Sequence, residues 1–130
     1  KIVAQQDGGA ALDKSMELAE DIITASPDMD AFFCINDPSA LGAAAAIKAA
    51  NKTGKIGVYS IDASPDGKQA LLDGEFTAVA CQVPVQIADY SFKEAVKYVN
   101  GDTKIDEKKV YLDSHLVSKD EAEKTLKEWQ

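Results

Sequence analysis

Four polar side chains stand where apolar runs give way to helix-forming sequence, and their types suit them to hold hydroxyl groups. Asp7, with Gln6 before it, follows Ile2-Val3-Ala4; Asn36 follows Ala31-Phe32-Phe33-Cys34-Ile35. Asp62 follows Ile56-Gly57-Val58-Tyr59-Ser60-Ile61, and Gln82 follows Thr77 to Cys81. A carboxylate accepts hydrogen bonds from two hydroxyls at once, while the amides of Asn and Gln both donate and accept. A sugar or polyol presents adjacent hydroxyls that are each donor and acceptor, so this set matches one. Partly buried, such a bond contributes about 1 to 3 kcal/mol, most when one partner is charged. Each residue also has a plainer use. Asn36 and Asp37 are good helix-start residues, and Asp62 beside Ser64-Pro65 is a good turn former. Several such positions on one rim, rather than any one of them, point to a ligand site.

The elements that would place them are a short apolar strand and an amphipathic helix, repeated five times. Ile2-Val3-Ala4 leads into a helix with Leu12, Met16, Ala19, Ile22 and Ile23 at helical spacing, broken by Pro27-Asp28. Ala31–Ile35 is the second strand, followed by a helix capped at Asp37 with Pro38 next and closed near Gly54. The third strand, 56–61, precedes a short helix from Ser64-Pro65-Asp66 to Gly74. The fourth, Thr77–Cys81, precedes a helix from Pro84 with Val85, Ala88, Phe92, Ala95, Val96 and Val99 on one face. After a charged loop over 104–109, Val110–Val117 reads as the fifth strand. Ser118-Lys119-Asp120-Glu121 is then a capping box for a last helix with Ala122, Leu126 and Trp129 as its stripe. Alternation of this kind predicts an α/β fold: a parallel sheet of about five strands with helices on both faces, Rossmann-like or flavodoxin-like. In such a sheet ligands bind beyond the carboxyl ends of the strands, where the four polar residues fall.

Charge narrows the ligand. The net charge is −8 and the basic residues are all lysine. A net acidic surface opposes nucleic acid, and without arginine there is no bidentate clamp for carboxylate or phosphate, so a neutral ligand is expected. Two cysteines and one histidine do not supply the four ligands of a structural zinc site, and no cofactor is called for. Asp7-Gly8-Gly9 lacks the spacing and lysine of a phosphate loop and reads as a turn. A receiver domain with Asp62 as phosphoacceptor would need an acidic pair where Asp7 stands alone. Asp113-Ser114-His115 holds triad residue types, but consecutive strand residues alternate faces and do not converge. Cys34 and Cys81 lie in apolar strand ends with no histidine near in sequence, which predicts buried, inert thiols. The expectation is a binding protein, not an enzyme. No apolar run approaches the roughly 20 residues of a membrane span, and any export signal would lie outside this sequence.

Ala31-Phe32-Phe33-Cys34-Ile35-Asn36-Asp37-Pro38-Ser39-Ala40-Leu41-Gly42-Ala43 resembles the strand-to-helix junction of type I periplasmic sugar-binding proteins and of the lactose-repressor-like regulators related to them. Val58 to Asp62 with Ser64-Pro65-Asp66-Gly67 is similar to a further signature, and Leu72 to Pro84 to another. The order holds from Lys1 to about Gly101 and more loosely to Val117. The resemblance implies that Asn36, Asp62 and Gln82 contact a sugar and that Ala10 lies at the site, to which the strand-end argument adds Asp7. Ribose-type relatives have a stacking aromatic at the position of Ala10, so a sugar other than ribose, or a polyol, is implied.

The resemblance covers only the rear portion of a two-lobe protein, without the front lobe or the first strand-helix unit of the rear lobe. Residues 1–130 are then one α/β domain in which 84–117 would pass through the other lobe and the hinge. In the family's strand order a third strand separates Cys34 from Cys81, which argues against a disulfide. The implied partners are a neutral sugar or polyol and the membrane permease of an ABC transporter, with a homodimer as a way for the fragment to close. The implied location is periplasmic or extracellular, free or as a membrane-associated lipoprotein. Asp73-Gly74-Glu75-Phe76-Thr77-Ala78 before Gln82 is nearer the transporter branch than the regulator branch, whose effector-binding domain is the alternative.

Overall fold

The computed structural model describes residues 1–102, 104 and 109–129. In chain order the elements are α1 (Leu12–Ala25), β1 (Ala31–Phe33), α2 (Asp37–Ala49), β2 (Gly57–Asp62), α3 (Pro65–Leu72), β3 (Ala78–Cys81), α4 (Pro84–Val99) and α5 (Lys119–Lys124). Helix starts follow local chemistry. Pro38, Pro65 and Pro84 sit in first turns, where no amide hydrogen is missed. Ser64 Oγ accepts from Gly67 N (3.0 Å) and Ser118 Oγ from Glu121 N (3.2 Å). The cap of α2 is Asn36 rather than Asp37: Asn36 Oδ1 accepts from Ser39 N at 3.0 Å, and Asp37 is already helical. The charged loop expected over 104–109 lies largely outside the described residues.

The sheet is parallel in the order β1-β2-β3, with Phe32 opposite Val58, Ser60 opposite Val79 and Asp62 opposite Cys81. The α/β class and parallel pairing are as expected, but there are three strands among the described residues, not five. A strand exists by pairing. Ile2–Ala4 has strand composition but pairs with no strand among the described residues, and Ile2 is 80% exposed. Val110–Val117 forms no parallel strand either. It meets β3 antiparallel, through a bridge between Leu116 and Ala80 and bonds from Cys81 N to His115 O (3.0 Å) and Val117 N to Val79 O (2.9 Å). The expected cover on both faces also reduces to one. Val58, Ser60 and Val79 are buried on the side of α2 and α3, while Phe33 and Tyr59, on the opposite side, are 77% and 40% exposed.

The core is built of small residues. Ala40, Ala43, Ala44 and Ala46 of α2 are buried between α1 and the sheet. Their short side chains let both neighbours approach closely, and α1 crosses α2 over Gly42. A Cβ there would lie 2.8 Å from Met16 N and closer still to Leu12 O. No described helix is long and apolar enough to cross a membrane.

Lysine 68 joins α3 to the end of the chain. It is fully buried, and its Nζ donates to Thr125 O (2.5 Å), Thr125 Oγ1 (3.3 Å) and Glu128 O (2.5 Å), using all three ammonium hydrogens on groups that follow α5. Burial holds its ammonium below the ordinary lysine range, while Glu128 and Glu121 pull the other way. Lys68→Met keeps the stem and removes the donors, leaving the part-buried carbonyls of Thr125 and Glu128 without the ammonium that joins them to α3. The expected loss is about 2 kcal/mol by urea denaturation, with Trp129 fluorescence reporting early release of the C-terminal segment.

Candidate functional site at the strand ends

The carboxyl ends of the three strands bring Asn36, Asp62 and Gln82 to one rim. Because β3 pairs with β2 through Cys81 and Asp62, Gln82 emerges beside Asp62. Its Nε2 donates to Asp62 Oδ1 at 2.6 Å. From the other side Asp37 N donates to Asp62 Oδ2 at 3.3 Å, placing the start of α2, with Asn36 as its cap, against the same carboxylate. Asn36 Nδ2 donates to Ala10 O at 3.1 Å, which ties in the loop before α1. Asp62 has φ 132° and Ala63 φ 57°, so the chain turns sharply where the carboxylate is presented.

These contacts hold the side chains without exhausting them. A carboxylate has about four lone-pair positions, and two on Asp62 are occupied by Gln82 and Asp37. Asn36 uses one amide hydrogen on Ala10 and one lone pair on Ser39. Gln82 is exposed, and Asn36 and Asp62 are half-buried, so the rim opens to solvent. Asp7 is not joined to the three: its Oδ1 accepts from Gly9 N at 2.8 Å, closing its own turn. Ala10 is exposed in the left-handed region (φ 55°) and reaches the rim through its carbonyl alone.

Burial pushes the Asp62 carboxyl above the ordinary aspartate range, and the neighbouring Asp37 adds to this. The bonds from Asp37 N and Gln82 oppose it. A carboxyl raised in the folded state stabilises the fold fully below its unfolded pKa of about 3.9, and that contribution is lost as pH rises through the raised value. Asp62→Asn is therefore expected to unfold at higher urea than the parent at pH 7. The difference should vanish at pH 3.

Three features escape a reading of the sequence. Asp37 is a wholly buried carboxylate rather than a surface helix-start residue. Lys68 is buried rather than solvated. His115, far from either cysteine in sequence, lies with Nδ1 3.3 Å from Cys81 Sγ and Nε2 2.8 Å from Glu121 Oε1. The Cys-His-Glu line ties β3 to α5, and Glu121 meets His115 where a full capping box would turn it back on Ser118. Cys81 is fully buried, so no substrate carbonyl reaches it. Both thiols are free, with β2 between their strands, and burial pushes Cys34 up to about 11. Among the described residues no cluster of His, Cys, Asp and Glu could hold a metal ion.

Residues 1–103 match the periplasmic binding protein domain, and the chain belongs to that family. It is 34% identical over 101 residues to the ribose import binding protein RbsB of Salmonella typhimurium, an alignment covering 78% of this chain and 34% of that protein. An ABC transporter periplasmic solute binding protein from Actinobacillus succinogenes, solved with bound D-allose, superposes with a TM-score of 0.89 at 27% identity, covering 95% of this chain and 43% of that one. A galactofuranose binding protein superposes with a TM-score of 0.87 at 33% identity, covering 97% and 44%. The chain thus spans about a third of the length of the curated relative.

Proposed function

We propose that this chain is the rear part of a receptor that captures a neutral sugar or polyol for an ABC-type importer, with Asn36, Asp62 and Gln82 gripping its hydroxyls. The observation that carries the reading is the Asp62 carboxylate, half-buried at the carboxyl end of the central strand, braced on one oxygen by Gln82 and on the other by Asp37 N. A braced acceptor beside two amides suits adjacent hydroxyls, and its fixed position lowers the ordering cost of binding. Relatives named for ribose import and structures that hold D-allose or bind galactofuranose support the same class of ligand. Asp7 and Ala10 flank the site from the preceding loop. Ala10 offers no ring to stack on a sugar face, which favours a sugar other than ribose, or a polyol.

Helix α4 has no buried residue, and Phe92 and Val99 are among the apolar side chains it presents to solvent. Beside it runs a groove of about 610 Å³ lined by Ile87, Tyr90, Tyr98, Tyr111 and Leu112. We assign this face to a second lobe, with 84–117 passing through it and the hinge. A second copy of the chain is the alternative cover, and a clean monomer by light scattering excludes it. Capture is then closure of two lobes over the ligand, a motion for which periplasmic binding proteins are a standing example. The closed form would be offered to the membrane permease. The working compartment is the periplasm or cell exterior, free or lipoprotein-anchored, and the acidic surface does not favour nucleic acid.

With half of the cleft on the other lobe, residues 1–130 alone are expected to bind monosaccharides weakly or not at all by calorimetry, while the full-length gene product binds one. Sub-micromolar binding by 1–130 alone would overturn the divided cleft. Failure of the full-length product to bind any neutral sugar or polyol would overturn the receptor reading.

A further inference from the structure

Asp37 is a carboxylate with no exposed surface, one residue from the cap of α2. Its Oδ1 accepts from Ser60 Oγ at 2.5 Å, and its Oδ2 accepts from Ser64 N at 2.8 Å and Ser64 Oγ at 2.7 Å. Its own N–H donates to Asp62 Oδ2. One side chain therefore grips both ends of the segment from Ser60 to Ser64. Inside that segment lie the two consecutive residues with positive φ, Asp62 and Ala63. Non-glycine residues leave the left-handed region unless their surroundings hold them there. Nothing in the local sequence supplies that hold, since neither position is glycine. Gly67 completes the enclosure, because its missing side chain is the space the carboxylate fills.

We infer that Asp37 is the positioning residue of the rim: its carboxylate clamps the β2–α3 turn so that Asp62 points at the ligand. Being buried, Asp37 does not touch the ligand itself. Without the clamp the turn relaxes toward negative φ, and Asp62 leaves Gln82 and the start of α2. Ser60, a polar residue in the inward row of β2, is there to take the second carboxylate oxygen.

This inference rests on the sugar-receptor reading, and its test separates the two. Binding of a neutral sugar or polyol to the full-length protein is measured by calorimetry from pH 7 downward, for the parent, Asp37→Asn and Ser60→Ala. Asp37→Asn is expected to weaken binding about tenfold at pH 7 and Ser60→Ala about threefold. The acid limb of the binding profile should also move to lower pH in Asp37→Asn, because a negative neighbour of Asp62 is gone. A purely structural role would lower stability and leave that limb in place. A parent that binds no such ligand sinks the receptor reading. A parent that binds, with both variants within twofold of it or with the acid limb of Asp37→Asn unmoved, overturns the positioning role alone. If Asp37→Asn does not fold, Ser60→Ala decides: affinity within twofold of the parent overturns the clamp.

Discussion

Gly67→Ala is expected to destabilise the protein by about 3 kcal/mol, against the usual sign of such a change. Alanine inside a helix is ordinarily better than glycine by about 1 kcal/mol, and Gly67 lies within α3, so propensity alone predicts a gain. The site reverses it. A Cβ at Gly67 would sit 2.7 Å from Asp37 Oδ1 and closer still to Oδ2. Asp37 has a short side chain, fully buried and held by three hydrogen bonds from Ser60 and Ser64. Relief requires either moving α3 or breaking the clamp and stranding a buried carboxylate. Urea denaturation measures the effect. A neutral or stabilising substitution would show that the α2–α3 junction is looser than described.

Asp62→Ala is expected to weaken sugar or polyol binding by the full-length protein at least about tenfold, or about 1.4 kcal/mol. The substitution removes the only charged acceptor among the three rim residues and also unties Gln82, whose Nε2 loses its partner. Asp62→Asn keeps the shape and one acceptor oxygen, so its loss should be smaller. The two variants thereby separate acceptor charge from bracing. Since burial raises the Asp62 carboxyl, binding by the parent should also fall as pH drops through that raised value. Unchanged affinity in Asp62→Ala, measured by calorimetry, would remove this residue from the site.

The α/β class is readable because apolar runs bounded by turn residues alternate with stretches of helical period, and parallel pairing follows from that alternation. Asn36, Asp62 and Gln82 are readable for a related reason: in a parallel sheet the end of an apolar run marks the carboxyl end of a strand. What sequence does not carry is the neighbour. Ile2–Ala4 has a strand's composition but pairs with no strand among the described residues, and exposure of Phe33 on β1 marks a face left uncovered. Asp37 reads as a helix-start residue until Ser60, 23 positions later, and Gly67 are folded onto it. A lysine in a short helix reads as solvated, and Lys68 is buried only because the end of α5 settles over it. The Cys81–His115 contact spans 34 positions, beyond any local pattern.

We propose that Asn36, Asp62 and Gln82 act as one hydroxyl-binding rim. The most direct test is the pair of side-chain amide resonances of Asn36 and Gln82 in the full-length protein, followed by NMR as a neutral sugar or polyol is added to saturation. Both NH₂ groups should shift along one isotherm that matches the calorimetric affinity. Ligand that saturates the protein while both stay unmoved would show that the sugar binds elsewhere.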